Sequence, residues 1–224
     1  MTTRWTRLGA LHGHDAEQAW HWFVDRYRPF VRGILGGMLG NGAKTAAAEE
    51  EFWGYVWLSG ALRRADRERR FRAFLSGIVR HFARGFSRQN GLSLHDDWAL
   101  ETAPARDAAA AELRFWVDNV IANAMDTLRA ESPTTAMAMT AFYGLDGGTG
   151  SGNGRAMSAI EVAAAVDNTP QGIYMLLFRG RKRLRTLIAE ELREGCRDDE
   201  AFAEELQALL GLAASRLPGL LGDA

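Results

Sequence analysis

The chain has 224 residues, of which 47% are hydrophobic, and a formal net charge of −1, which suits one large or two small domains with buried cores. It contains no apolar run of about 18 residues, which excludes an ordinary membrane-spanning helix, and its first residues lack the apolar core of a signal peptide. The single cysteine, Cys196, cannot form an internal disulfide and fits a reducing cytoplasm. Strand patterns are nearly absent, so we expect an all-α, cytoplasmic protein.

The small net charge hides a segregation of charge along the sequence. Lysine and arginine exceed aspartate and glutamate by seven over residues 1–92 and by three over 158–189. The acidic residues are in excess by five over 93–135 and by six over 190–224. Two basic blocks, each followed by an acidic one, indicate two modules that face a polyanion. Chance clustering on solvated faces is the alternative.

Apolar residues at helical spacing predict three helices in the first 90 residues. The first runs from Ala16 to Leu39, with Pro29 as a candidate kink. Thr45 is expected to cap the second, whose acidic residues 49–51 suit the positive end of a helix dipole. The third runs from about Arg67 to Gln89. Its expected buried stripe comprises Phe71, Phe74, Leu75, Ile78, Val79, Phe82 and Phe86.

The third helix also carries a row of arginines. Arg72, Arg80, Arg84 and Arg88 fall at multiples of four with His81 nearby, and no acidic residue follows any of these arginines at i+4. A one-sided row of this kind is typical of a surface that faces phosphates. A solvated face is the alternative.

The second half of the chain follows an aperiodic segment that holds glycine, proline and acidic residues, which predicts a flexible linker. A long helix from about Ala108 to Ala130 and a short one over 134–144 come next, before a glycine-rich connector. That connector lacks both the Gly-Lys-Ser/Thr ending and the preceding strand of a phosphate-binding loop. The predicted organisation is two small helical domains over 1–90 and 108–190, a linker over 91–107, and an acidic helical extension over 191–224.

Two predicted helices meet at a tight corner in the second domain. Ser158 and Glu161 have the spacing of a capping box. The helical pattern breaks at residues 167–168, after which Thr169 is expected to cap a second helix that opens with Pro170. This second helix starts apolar and ends basic, which is a helix–turn–helix pattern. Two ordinary packed helices with a solvated basic end are the alternative.

No arrangement of residues typical of catalysis is recognisable in the sequence. His12 and His14 are two residues apart, but no cysteine, aspartate or glutamate completes a ligand set at the usual spacing. A helical nucleic-acid enzyme such as a nuclease needs clustered carboxylates or histidines for its metal, and we find none. We therefore predict no catalytic residue, no metal and no cofactor.

Over about 4–210 the sequence resembles a bacterial RNA polymerase sigma factor of the extracytoplasmic-function (ECF) type. The segments that carry the resemblance follow the family's order: T-R-W-T-R-L, F-V-D-R-Y-R-P-F-V, A-E-E-E-F-W-G-Y-V-W-L, R-A-D-R-E-R-R-F-R-A-F-L-S-G-I-V-R-H-F, L-S-L at 92–94, the helix around Trp116, and the helix–turn–helix. In the family, the acidic-aromatic segment binds core polymerase and the arginine-rich segment melts and reads the −10 promoter element. The helix–turn–helix reads the −35 element.

The resemblance implies a factor that binds core RNA polymerase, at the β′ clamp helices and the β flap, and directs promoter-specific initiation. Promoter DNA is the second implied partner, and an anti-sigma factor or other regulator is a third. The implied polymerase-binding residues are Glu49, Glu50, Glu51, Phe52 and Tyr55. The implied −10 residues are Arg72, Arg80, His81, Arg84 and Arg88. The implied helix–turn–helix residues on DNA are Thr169, Gln171, Gly172, Tyr174, Met175, Arg179, Arg181 and Lys182.

The sequence departs from the family in three places. Ala47 stands where an acidic residue precedes the polymerase-binding segment, and Asp167-Asn168 stand where the corner favours glycine and an aliphatic residue. The recognition helix presents Tyr174, Met175 and Phe178, which cannot make the bidentate contacts that specify guanine or adenine. They can contact thymine methyl groups or bury against a protein. The alternative function is therefore a sigma-derived regulator or adaptor whose helix–turn–helix domain binds protein.

Overall fold

A computed structural model describes residues 8–9, 11, 16–40, 42–65, 70–94, 106–145 and 154–221. These residues form eight α-helices and no strand, which confirms the all-α prediction. The helices are α1 (Ala16–Leu39), α2 (Ala43–Ser59), α3 (Phe71–Gln89), α4 (Arg106–Glu131), α5 (Pro133–Tyr143), α6 (Ala159–Ala165), α7 (Pro170–Arg193) and α8 (Asp199–Arg216), with a short 3-10 helix at Ala61–Arg64 after α2.

Contacts between Cα atoms group the chain into two units. The first comprises residues 1–116 and 194–198, and the second comprises 117–193 and 199–224. The first part of α4, up to Trp116, therefore belongs to the first unit. The predicted linker lies mostly outside the described residues, so the two-domain organisation stays a prediction.

The first unit is built around the apolar stripe of α1, which packs on α2 and α3. Tyr27 and Phe30 are fully buried, and both rings contact Trp116: the Tyr27 ring is stacked at 6.4 Å and the Phe30 ring is edge-on at 5.2 Å between centroids. Gly33 permits this close packing, since a Cβ there would lie 2.6 Å from Cγ of Phe115. The stripe therefore acts as the core that the spacing predicts.

Two expectations for α2 are wrong. Thr45 is not the cap, because the helix begins at Ala43 with Gly42, at φ 103°, in the capping position. The Thr45 side chain is buried and its hydroxyl donates to the carbonyl of Gly40. Residues 49–51 lie beyond the first turn of α2, which contains no acidic residue, so the helix dipole does not explain them.

The apolar stripe of α3 is divided between core and surface. Phe71, Leu75 and Val79 are buried as expected, whereas Phe74, Ile78 and Phe82, also predicted to be buried, are only half-buried. The helix begins at Phe71, and residues 66–69 lie outside the described part of the chain. The half-buried residues matter because two of them line a groove described below.

In the second unit, α5, α6 and α7 pack on one another. The closest approach lies at Gly180 of α7, where a Cβ would be 2.3 Å from Sδ of Met139 and 2.8 Å from Cγ2 of Thr135 in α5. Only glycine allows the two helices to pack this tightly. This contact holds α7, the predicted recognition helix, against the core of its unit.

The acidic extension packs on the second unit. α8 packs on α7, and Arg193 of α7 is paired with Asp199 at 2.6 Å. The turn after α8 is held by a hydrogen bond from the Tyr143 hydroxyl to the carbonyl of Gly219, at 2.9 Å. Leu220 is fully buried. From Asp199 onward, the extension thus contributes to the second unit's core.

Among the described residues, no helix has the length and apolar character needed to cross a lipid bilayer. The same residues contain no group of three or more histidine, cysteine, aspartate or glutamate side chains placed to hold a metal ion. His12 and His14 lie outside the described residues.

Candidate nucleic-acid interfaces

The arginine row of α3 is less exposed than its spacing predicts. Arg72, Arg80 and Arg84 are half-buried, and only Arg88 and His81 are fully at the surface. Arg80 keeps 21% of its side-chain surface and is paired with Glu112 of α4 at 2.7 Å. The prediction of one freely exposed row is therefore wrong for three of its four arginines. For Arg80 the physical reason is that Glu112 of α4 lies against it.

Glu112 is the centre of a small buried polar cluster in the first unit. Its Oε2 accepts from Nη1 of Arg80 and its Oε1 accepts from the Ser76 hydroxyl, both at 2.7 Å. A buried carboxylate needs such partners because an isolated charge in the interior is very costly. No acidic residue follows Arg80 on its own helix, so this partner is visible only in the folded protein.

A groove lies on the other flank of α3. It has a volume of about 600 Å³ and is formed by α2, the 3-10 helix and α3. Tyr55, Phe74 and Ile78 supply aromatic and apolar surface, and Arg64 and His81 supply polar groups. A groove that combines flat aromatic rings with a guanidinium and an imidazole suits a nucleobase together with its phosphate.

Two of the residues implied to bind polymerase are buried inside the first unit. Phe52 is fully buried, so it has no surface with which to contact a partner. Glu49 is buried and lies 3.7 Å from Arg28 and 3.8 Å from Arg32, both in α1. Glu49 therefore holds α2 on α1, whereas Phe52 packs edge-on against Phe82 of α3, at 5.4 Å between ring centroids. Tyr55 is half-buried and lines the groove.

The exposed face of α2 forms a second continuous surface, which we name the α2 stripe. Its members are Ala47, Glu50, Glu51, Gly54, Trp57 and Leu58. Leu58 is 85% exposed and Trp57 is 48% exposed. An acidic first half followed by an apolar second half is the pattern expected of a protein-binding face. Sequence reasoning overlooked Trp57 and Leu58 as site residues, although their spacing places them opposite the buried Phe52.

The helix–turn–helix is capped as the sequence predicts. The Ser158 hydroxyl accepts from the backbone N–H of Glu161 at 3.3 Å, and the Glu161 carboxylate accepts from the N–H of Ser158 at 2.8 Å. These hydrogen bonds to Ser158 lower the pKa of Glu161, with a smaller contribution from Arg155. The Thr169 hydroxyl accepts from the N–H of Gly172 at 3.0 Å, which caps α7.

The corner between the helices explains one departure from the family. Asp167 adopts a left-handed conformation, with φ of 51°, and the N–H of Asn168 donates to the carbonyl of Ala163 at 2.9 Å. This is the long hydrogen bond of a Schellman motif, in which glycine is usual. Aspartate tolerates the conformation better than most residues, so the corner forms without the glycine.

The exposed face of α7 is apolar near its start and basic further on. Tyr174, Met175 and Phe178 are 59%, 49% and 60% exposed. Among the implied DNA contacts, Thr169, Gln171, Arg179 and Lys182 are exposed, while Gly172 is half-buried. A larger residue would not fit at position 172 without a shift of its neighbours, because a Cβ there would lie 2.1 Å from Oδ1 of Asn168. Phe178 and Arg185 were not among the implied DNA contacts, but they lie on the same exposed face of α7.

Two arginines of α7 are engaged within the second unit. Arg181 is half-buried and donates to the Tyr143 hydroxyl at 3.3 Å, so its implied role on DNA competes with a packing role. Arg183 makes a bidentate pair with Glu131, with N–O distances of 2.8 and 2.6 Å. This hydrogen bonding lowers the pKa of Glu131 and raises that of Arg183. The outward cations of α7 are therefore Arg179, Lys182 and Arg185.

No family model matches the chain, and neither the curated proteins nor the solved structures searched contain a match.

Proposed function

We propose that this protein is a sigma factor of the ECF type, which binds core RNA polymerase and directs promoter-specific initiation of transcription. The observation that carries the proposal is the helix–turn–helix. Its first helix has a complete capping box, and the exposed face of its second helix carries Arg179, Lys182 and Arg185. Within the described residues, none of these three cations takes part in an ion pair, whereas the neighbouring Arg183 is paired with Glu131 and Glu190. The three cations are therefore available for phosphates.

The groove of the first unit supports a role in promoter melting. Tyr55 and Phe74 offer rings on which an unpaired base can stack, and Arg64 and His81 supply polar groups in the same groove. Stacking of bases on aromatic side chains contributes about 1–3 kcal/mol per base. The role of Arg80, Arg72 and Arg84 is then mainly to support the helix that carries this surface.

The α2 stripe is the proposed contact with core polymerase. Glu50 and Glu51 supply negative charge, and Trp57 and Leu58 supply exposed apolar surface. Because Glu49 and Phe52 are buried, polymerase contacts the outward face of α2 and not these two residues.

A second candidate function is favoured by one observation. Tyr174, Met175 and Phe178 form an exposed apolar patch on the recognition helix, which is also what a sigma-derived adaptor would use to bind protein. In that case the second unit would bind no promoter even in the presence of polymerase.

The test is transcription by core RNA polymerase with the full chain on a library of promoter fragments. A sigma factor gives specific start sites that core polymerase alone does not give, and its DNA preference appears mainly in the complex with polymerase. An adaptor binds protein without creating start sites. Absence of both polymerase binding and start sites would contradict the sigma proposal.

A further inference from the structure

The exposed face of α7 changes its chemistry along one continuous stripe, which we name the recognition stripe. Its members are Gln171, Tyr174, Met175, Phe178, Lys182 and Arg185, and all are exposed. Their spacing places them on one side of the helix, opposite the buried Ile173, Leu177 and Leu184. From Gln171 to Phe178 the stripe therefore presents one amide and three apolar side chains, and from Lys182 onward it presents cations.

We propose that the recognition stripe reads A·T base pairs in the major groove through the methyl groups of thymine. The inference rests on the proposed function and deepens it, because it names the bases that the upstream promoter element must contain. The first two turns of α7 contain no arginine or lysine, so this helix lacks the side chains with which a recognition helix usually reads guanine.

The chemistry of the base edges supports A·T readout. Guanine offers acceptors at O6 and N7, which arginine and lysine bind, whereas the thymine edge carries a methyl group that apolar side chains contact. Phe178 and Met175 provide such contacts, and the flexible methionine adapts to the position of the methyl. Gln171 at the start of the stripe matches the N6 and N7 pair of adenine.

The dimensions of the stripe also fit a major groove. From Gln171 to Phe178 the helix rises about 10 Å at 1.5 Å per residue, which corresponds to about three base pairs at 3.4 Å. Lys182 and Arg185 follow on the same face. In a recognition helix whose N-terminal residues contact the base edges, this later part of the helix lies beyond the bases and close to the phosphates. The basic end therefore supplies affinity and the apolar start supplies specificity.

A protein partner fits the same surface less well. Three side chains that are about half exposed offer roughly 300 Å² of apolar surface, whereas a stable interface needs about 800 Å² on each partner. The cations Arg179, Lys182 and Arg185 around the patch suit a strongly anionic partner. Duplex DNA supplies both the anionic backbone and isolated methyl groups.

The experiment uses the full chain in complex with core RNA polymerase. Duplexes randomised upstream of a fixed start region are selected for binding, and we expect an upstream element with a run of A·T pairs. Each thymine of that run is then replaced by deoxyuridine, which removes only the methyl group. We expect affinity to fall about fourfold for each contacted methyl, the equivalent of about 0.8 kcal/mol.

Variants assign this effect to the stripe. Tyr174→Ala, Met175→Ala and Phe178→Ala, combined, should bind thymine and uracil duplexes equally. The control is Ile160→Ala, because Ile160 is also an exposed apolar side chain, at 71%, but lies on α6 and outside the recognition stripe. This variant should keep the preference for thymine.

Three outcomes decide the proposal. Loss of the thymine preference only in the stripe variant supports it. A selected element read through G·C pairs, or one that is indifferent to uracil, overturns the A·T inference while specific start sites keep the sigma function. Absence of polymerase binding and of start sites overturns both.

Discussion

Arg80 of α3 and Glu112 of α4 form an ion pair at 2.7 Å that joins residues 32 positions apart in the sequence. The pair is mostly buried, since the two side chains keep 21% and 8% of their surface. It converts a cation that was predicted to face DNA into one that holds two helices of the first unit together. The Ser76 hydroxyl, bound to the same carboxylate, makes the site a three-residue cluster.

Glu112→Ala should lower the free energy of unfolding by about 3 kcal/mol, because it leaves a largely buried guanidinium without its partner. The measurement is urea denaturation of the full chain. Arg129→Ala, which removes an exposed pair with Asp126, is the control and should cost no more than about 0.5 kcal/mol. A Glu112→Ala variant as stable as the wild-type protein would show that the pair has no structural role.

Gly180→Ala should destabilise the second unit by about 1–3 kcal/mol, since its Cβ would overlap with Met139 and Thr135 in a packed core. Gly85→Ala is the matched control, because it lies inside α3 and its Cβ would meet no atom within 4 Å. The control should gain about 0.5–1 kcal/mol from improved helix propensity. Changes of the same sign in both variants would contradict the close approach of α5 and α7.

The capping box should make stability depend on acidic pH. The pKa of Glu161 is lowered in the folded protein, so its contribution is present above the unfolded value, near 4.5, and is lost as pH falls through the folded pKa. Glu161→Gln keeps the capping geometry but does not titrate. At neutral pH the wild-type protein should have a higher thermal unfolding midpoint than this variant. The difference between the two midpoints should disappear below pH 4.5. A constant difference across that range would contradict the assignment.

The α2 stripe predicts opposite effects of two substitutions that each add one glutamate. Leu58→Glu should weaken binding to core polymerase about tenfold or more, because it places a charge where an exposed leucine would be buried. Ala47→Glu should strengthen binding by up to about fivefold, since it extends the acidic half of the stripe. Binding is measured by titration of labelled core polymerase.

The control for these two variants is Ala203→Glu, which adds the same charge at an exposed position of α8 and should leave polymerase affinity unchanged. All three positions are exposed, so unfolding free energies should change little. Equal effects of the three variants would indicate a response to net charge and would contradict a specific contact at α2.

The sequence by itself determined the elements that depend on neighbours a few residues apart. The bounds of α1 follow from the helical spacing of its apolar residues. The capping box at Ser158 and the cap at Thr169 follow from side chains that reach backbone groups within one turn. The apolar spacing of α7 likewise separates buried Leu177 from exposed Phe178 without knowledge of its partner helices. Helix period and capping chemistry are local, so they are readable in the chain.

Only the tertiary structure decided which charges and rings remain available at the surface. Arg80 and Glu49 are engaged by partners on other helices, Phe52 is buried, and Phe74 lines a groove with His81. Each of these outcomes depends on which faces of distant helices pack together, and on close approaches such as the one at Gly180. Helical spacing fixes the face on which a residue lies, but burial and pairing are set by the neighbour that covers that face.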